Sequence, residues 1–428
     1  MMDKLALMGG KLSVDVPYDD SWPPVSLEEV HECLNMMYNK ELSYYGREGK
    51  VKDLEESFCE YHDMKYAIAV SSGTQSLHSA FFAIGLGPGD EVICPTYTFL
   101  ATVTPIYQCR AVPVLCDAEI ETGNIAPSEI KEKITNKTKA VVITHMWGHP
   151  CEMDEIVAIC KAHNLILIED CSHAHGSTYK GKKVGTFGDI SCFSLQSAKI
   201  VTGGTGGILL TNHVEIYERA TLLGHFRVRS SESVQSEKYS KYASTGFGMN
   251  YRMHPLAAAM ACIQFQDLDN RIQLRCNNLN YLSELLTSVD GINPPVTQPY
   301  VTRGAYYGYK PHYTGSESWG ISIELYVKAL KAEGVLVNLP GSKPLHLLPL
   351  FQGGEKDLYS FKGKSEELTG EYRTYKKGDF PISESFYEKS LSLPTFTGAP
   401  DLLIEQYAAA FKKVSENVPD LKCYMEGI

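Results

Sequence analysis

The sequence reads as an α/β protein with a largely parallel sheet, and three observations carry that reading. Between about residues 25 and 260, short apolar runs alternate with stretches of helical periodicity. The runs are Val/Ile-rich and continuous, as expected of strands buried on both faces. At 428 residues the chain also exceeds the ~250–300 residues at which one hydrophobic core stops growing. Two domains are therefore expected: a large one over 1–268, with an N-terminal arm, and a smaller α+β one over 269–428.

The first helix opens on a capping box, Ser26 with Glu29, followed at helical spacing by Val30, Cys33, Leu34 and Met37. Strands are expected at Tyr66–Val70, Glu91–Cys94, Val112–Leu115, Ala140–Thr144, Leu165–Ile168, Ile190–Phe193 and Ile208–Leu210. Helical patterns such as Gln75–Ile84 and Met153–His163 fall between them. Past Leu268 the pattern changes to a helix at Arg271–Val289, a Pro-, Tyr- and Gly-rich stretch at Pro294–Tyr313, and helices at Glu324–Glu333 and Ala399–Asn417. Leu350–Asp379, polar and rich in Gly, Lys and Glu, reads as a loop or mobile insertion.

Composition narrows the function. A net charge of −11 with scattered Lys and Arg argues against nucleic-acid partners. No run approaches the ~20 apolar residues of a membrane span, and the short, acid-bearing start is no targeting signal, so a cytoplasmic protein is expected. The 12 cysteines, several in strand-like runs (Cys94, Cys116, Cys192), are expected as buried free thiols. Cys171-x-His173-x-His175, with His145, His149 and Cys151 upstream, has metal-like spacing, since alternation on an extended strand would align the three. Without a CxxC pair or HExxH, no metal is expected.

In open α/β sheets, ligands bind outside the carboxyl ends of the strands. Ser72-Gly73-Thr74, Pro95–Phe99, Asp170 and Ser194 all fall just after predicted strands, and so at one sheet edge. Lys199 follows Ser194 and runs into Gly203-Gly204-Thr205-Gly206-Gly207. A carboxylate ending an apolar strand, with a lysine beside a hydroxyl and a glycine run, supplies what pyridoxal phosphate requires: a ring-nitrogen partner, a Schiff-base amine and a phosphate cradle. A buried Asp170 would keep the ring nitrogen protonated, and desolvation would depress the Lys199 pKa. Gly73 and Thr74, at a strand-to-helix turn, offer N–H and hydroxyl donors to phosphate. His173 is in reach of the phenolic oxygen, and Phe99 of the ring face. Each has a plainer reading alone: a strand-end cap for Asp170, a structural role for His173, a solvated charge for Lys199, a core aromatic for Phe99.

These segments resemble the DegT/DnrJ/EryC1/StrS sugar aminotransferases, of the aspartate aminotransferase (type I) fold, over nearly the whole chain. Besides Ile168–Gly176 and Phe193–Lys199, the resemblance rests on Ser72-Gly73-Thr74, Gly87-x-Gly89-Asp90-Glu91-Val92-Ile93, Asn250-Tyr251-Arg252-Met253, Pro344-Leu345-His346 and Leu391-Ser392-Leu393-Pro394. It implies that Lys199 binds the cofactor and shuttles the proton, Asp170 pairs with the ring nitrogen, His173 contacts the phenolic oxygen and Phe99 stacks. It implies further that Gly73, Thr74 and Ser194 hold the phosphate, and that Asn250 reaches the phosphate of a neighbouring subunit, giving a homodimer with shared active sites. Lysine at 199, where dehydrating members carry histidine, implies transamination from glutamate or glutamine to a keto-sugar or keto-cyclitol. Cys171–Gly176 and Ser194-Leu195-Gln196 look most like the keto-inositol and aminocyclitol branch. The rivals are a pyridoxal-dependent sugar dehydratase or eliminase and a non-catalytic homologue. Two departures stand out: Thr205, where the family usually has glutamate, and the length of Leu350–Asp379.

Overall fold

All seven apolar runs form strands of one sheet: β1 (Tyr66–Val70), β2 (Glu91–Pro95), β3 (Val112–Cys116), β4 (Thr138–Thr144), β5 (Ile166–Asp170), β6 (Ile190–Ser194) and β7 (Gly207–Thr211). The computed structural model describes residues 4–19, 22–354, 358 and 372–426. The strand order is β1-β7-β6-β5-β4-β2-β3. Pairings among β2 to β6 are parallel, whereas β7 runs antiparallel to both its neighbours, β1 and β6. The start of β7 therefore lies at the same edge as the ends of the other six.

Both faces are covered, which is why the strands are continuously apolar. On one face Val92, Cys94, Val142, Ile168 and Cys192 pack with Leu77, Ala80 and Phe81. On the other, Ile93, Val114, Val141, Ile143 and Leu167 pack with Met153, Ile156 and Cys160 of the Met153–Ala162 helix. The first three helices are α1 (Leu27–Tyr38), α2 (Gly49–His62) and α3 (Gly73–Ala83). The capping box at Ser26 and Glu29 is present. A separate core gathers Leu279, Leu282, Tyr309, Tyr326, Leu330, Leu403, Tyr407 and Phe411 from the C-terminal part. The N-terminal arm, which the sequence groups with the first domain, adds Leu5 and Val14 to this second core.

Much of the expected insertion, 355–357 and 359–371, lies outside the described residues. Its flanks are anchored rather than loose. Phe351 is buried against the sheet core with Tyr372 and Tyr375 beside it, and the Tyr375 hydroxyl accepts from the Leu115 N–H of edge strand β3 (3.0 Å). Apolar residues at 351, 372 and 375 are what the polar average of that stretch conceals. All cysteines are free thiols. Among the described residues, no helix is long and apolar enough to cross a membrane.

The other edge strand, β1, is tied down by a buried carboxylate. Glu55 on α2 accepts from the Ala69 N–H (2.8 Å) and pairs with Arg47 (2.8 Å) and the buried Arg229 (3.0 Å). Removing it strands a guanidinium in the interior. Glu55→Ala should lower unfolding free energy by about 3–5 kcal/mol, a loss to be read from denaturant midpoints at constant m-value.

Candidate active site

A cavity of about 510 Å³ opens at the carboxyl edge of the sheet. Gly73, Thr74, Phe99, Asp170, His173, Ser194 and Lys199 all line it. Asn250 does not; it is exposed elsewhere on the chain.

Each group arrives on a strand end or a turn that the sequence dictates. The Ser72 hydroxyl caps α3, accepting from the Gln75 N–H (3.2 Å), so the helix N-terminus faces the cavity through Gly73 and Thr74. Glycine is required there, because a Cβ at 73 would stand 2.8 Å from the Ser194 Cβ. Gly207 is held as tightly, with a Cβ placed 2.5 Å from the Ser72 carbonyl oxygen. The result is a cradle of N–H groups at a helix N-terminus, suited to a phosphate. Thr205 lines the same cavity. Its hydroxyl donates to the Ser71 carbonyl (2.9 Å) and ties the glycine loop to the end of β1.

Asp170 is buried at the end of β5. Its Oδ2 accepts from the Thr102 hydroxyl (2.7 Å) and its Oδ1 from the Ser172 N–H (3.1 Å). Thr102 is itself linked to Thr98 (2.8 Å) and Thr144 (3.2 Å), all three buried. The sequence offered no sign of this hydroxyl cluster, since its members come from separate segments.

Lys199 is 7 % exposed, with Nζ 3.6 Å from the centre of the Tyr307 ring. Burial lowers its pKa from 10.5 to about 7, against the attraction of Asp170. Tyr307 stacks on His173 at 4.1 Å, and Trp147 stacks on the His173 ring at 5.3 Å. Burial first, then the charges of Lys199 and Lys310, hold His173 far below its ordinary value, so its ring is neutral. Its buried Nδ1 has no protein partner. Tyr307 and Trp147 were missed in the sequence; the Tyr- and Gly-rich composition around 304–313 was the only trace of Tyr307.

The aligned Cys171, His173 and His175 do not materialise, because these residues leave the strand in a turn. His173 faces the cavity while His175 packs edge-on against Phe193. The residues that do converge are His145, Glu169 and Cys171, and the atoms of the first two are already in use. Glu169 accepts from the N–H groups of Gly185 (2.7 Å), Phe187 (2.8 Å) and Gly188 (2.7 Å) and bonds His145 Nε2 (3.2 Å). The Cys151 N–H donates to His145 Nδ1 (3.1 Å). Burial pushes Glu169 up, but His145 and the backbone donors outweigh it and hold the carboxyl below its ordinary range. This is a structural knot behind the site.

The DegT/DnrJ/EryC1/StrS aminotransferase family matches residues 25–406. The chain belongs to that family. It is a pyridoxal phosphate-dependent aminotransferase, and the orphaned His173 Nδ1 and the glycine cradle fit that cofactor. The aminotransferase is 40% identical over 255 residues to the GDP-perosamine synthase of Escherichia coli O157:H7, covering 60% of this chain and 66% of that one. It is 30% identical over 431 residues to a putative L-glutamine:3-amino-2,3-dideoxy-scyllo-inosose aminotransferase of Streptoalloteichus tenebrarius, covering 99% and 100% of the two chains. Among solved structures, an aminotransferase from Psychrobacter cryohalolentis superposes with a TM-score of 0.80 at 28% identity, covering 94% of this chain and 100% of that one.

The depressed Lys199 pKa is directly measurable. Labelling by a neutral acylating reagent in cofactor-free protein, read at Lys199 by mass spectrometry, should rise through about pH 7 and level off, while exposed lysines keep rising toward alkaline pH. The unfolded chain binds the extra proton between about 7 and 10.5, so this group makes stability increase with pH across that window.

Proposed function

We propose that Lys199 binds the cofactor and handles the proton in an amino transfer from glutamine or glutamate to a keto-cyclitol or keto-sugar. The observation that carries this reading is the buried amine of Lys199 lining one cavity with the Asp170 carboxylate and the Gly73 cradle. For the acceptor, support comes from relatives named as L-glutamine:scyllo-inosose-type aminotransferases and GDP-perosamine synthases. The former include one that spans this chain almost end to end.

Bound pyridoxal phosphate supplies an electron sink. On this reading the residues divide the work as follows. Gly73, Thr74 and Ser194 hold the phosphate, Asp170 keeps a proton on the ring nitrogen, and Thr102 fixes the rotamer of Asp170 through its hydroxyl. His173, neutral, turns its unpartnered Nδ1 to the phenolic oxygen, and Phe99 covers the ring. Lys199 Nζ, in its neutral form, takes the proton from the donor Cα and delivers it again, a role that contributes roughly 10²–10⁴-fold. Domains over 1–268 and 269–428 would then bracket the cavity, since Tyr307 closes from the second part onto the sheet edge of the first.

Asn250 completes the reading as a group offered to a second subunit. It is exposed and outside its own cavity, with the exposed apolar Phe247 and Met249 beside it. The exposed Leu27, Leu34 and Tyr38 of α1 supply further apolar surface of the kind partners cover. Free thiols throughout support a reducing, cytoplasmic setting.

Two experiments test this. Glutamine or glutamate added to the holoenzyme in single turnover should discharge the cofactor's visible absorbance and release the corresponding keto acid. Lys199→Ala should slow this by about 10²–10⁴-fold and abolish borohydride fixation of the cofactor, and failure of both donors sinks the reading. A panel of nucleotide-linked keto-sugars and keto-inositols then identifies the acceptor. For the shared site, Lys199→Ala and Asn250→Ala subunits should each be weak alone, yet regain activity when unfolded together and refolded as a mixture. A mixture no better than its components overturns the role of Asn250.

A further inference from the structure

The loop that carries Lys199 is held from outside at three backbone groups. The Lys199 carbonyl accepts from the indole N–H of Trp22 (3.0 Å), the Ile200 carbonyl accepts from the Arg271 guanidinium (3.2 Å), and the Thr202 N–H donates to the side-chain carbonyl of Gln264 (3.0 Å). Lys199, Ile200 and Thr202 are all buried, so these groups depend on protein partners. Gln264 is itself fixed, its amide donating to the buried Glu29 of α1 (2.7 Å). Trp22 arrives from the N-terminal arm, which the reaction has no other evident use for.

Trp22 is anchored in the C-terminal part. Arg271 and Arg275, one turn apart on the Leu268–Leu286 helix, both lie over its ring, their guanidinium carbons 5.8 and 4.8 Å from the ring centre. Arg275 is 1 % exposed. Its fork serves two further groups, donating to the Thr397 hydroxyl (2.8 Å) and to the Ala305 carbonyl (2.8 Å). Ala305 stands two residues before Tyr307, whose ring lies against the Lys199 amine. One buried guanidinium therefore supports both the indole bonded to the lysine backbone and the chain leading to the ring against its amine. The arm upstream of Trp22 is fastened to the same part, since the buried Glu333 accepts from the Ala6 N–H (2.7 Å) and the Ser13 hydroxyl (2.8 Å).

A lysine amine hangs on a flexible four-carbon stem, and a misplacement of about 1 Å at a reacting group can cost ~10²-fold in rate. The backbone at the root of the stem must therefore be fixed for the amine to be. We propose that Trp22 is a positioning residue for Lys199, acting through the lysine's own carbonyl, and that Arg275 sets Trp22 and Tyr307 from one point so that the root and the cover of the amine keep their spacing. The inference rests on Lys199 being the residue that bonds the cofactor.

Trp22→Phe, which keeps a ring over the guanidiniums and removes the N–H, separates this role from packing. Full-length enzyme is stripped of cofactor and mixed with saturating pyridoxal phosphate. Capture, in which the Lys199 amine adds to the cofactor aldehyde and one water leaves, is timed by borohydride quench. Trp22→Phe should slow capture by about three- to tenfold, while affinity for pyridoxamine phosphate, which has no aldehyde to capture, stays within about twofold. Thr397→Val, which loosens Arg275 without touching Lys199 or Trp22, should slow capture by about twofold, and by less when added to Trp22→Phe, because both act through one indole. Capture at the wild-type rate in Trp22→Phe overturns the proposal, as does a loss of pyridoxamine phosphate affinity equal to the loss of capture rate, the pattern of a general disturbance. An unchanged rate in Thr397→Val overturns the part given to Arg275, and the whole proposal should Trp22→Phe fail to fold. Borohydride fixation that persists in Lys199→Ala overturns the cofactor role of Lys199 instead, whichever way Trp22→Phe behaves.

Discussion

A lysine amine must be kept out of water to act as a base near neutral pH, and the surroundings of Lys199 are organised by that demand. Two effects compete over its proton. Asp170 favours the charged amine, while burial opposes it, and burial prevails: the amine falls from 10.5 to about 7. A net depression of that size corresponds to about 5 kcal/mol between the two protonation states. The Tyr307 ring covers the amine from 3.6 Å. The indole of Trp22, reaching in from the N-terminal arm, donates to the Lys199 carbonyl (3.0 Å) and fixes the backbone beneath it.

The neighbouring carboxylates show how one strand serves two ends. Successive side chains of β5 point to opposite faces. Asp170 meets hydroxyls on the cavity side, while Glu169 is absorbed by backbone N–H groups and His145. Each carboxylate is met by hydrogen-bond donors in the interior, and only the first faces space that a ligand can fill.

Continuous apolar runs made the strands legible, because a sheet covered on both faces leaves no other pattern. Asp170, Ser194 and Gly73 could be placed at one edge because each directly follows such a run. Lys199 was readable from its glycine-rich context. The supporting shell was not. Thr98 and Thr102 meet Thr144 from a distant segment, and Tyr307 and Trp147 come from opposite parts of the chain, so no local spacing announces them. The alignment of Cys171, His173 and His175 failed for a local reason, since alternation holds only while a strand continues and this one ends at Asp170. Composition likewise hid the anchors Phe351 and Tyr375 within a polar stretch.

The reversal of β7 bears on how this protein can vary. The stretch between Ser194 and Gly207 leaves and rejoins the sheet at the same edge, and its neck is bonded shut. The Leu195 N–H donates to the Gly206 carbonyl (2.9 Å), and the Leu195 carbonyl accepts from Gly203 N–H (3.2 Å) and the Thr202 hydroxyl (2.9 Å). Lys199 therefore rides a noose of fixed circumference. One residue more or fewer would either displace the amine or shift the register of β7 and turn its side chains to the wrong face. A side chain of this noose that faces solvent, such as the exposed Thr205, can change without moving the amine, but the length of the noose cannot.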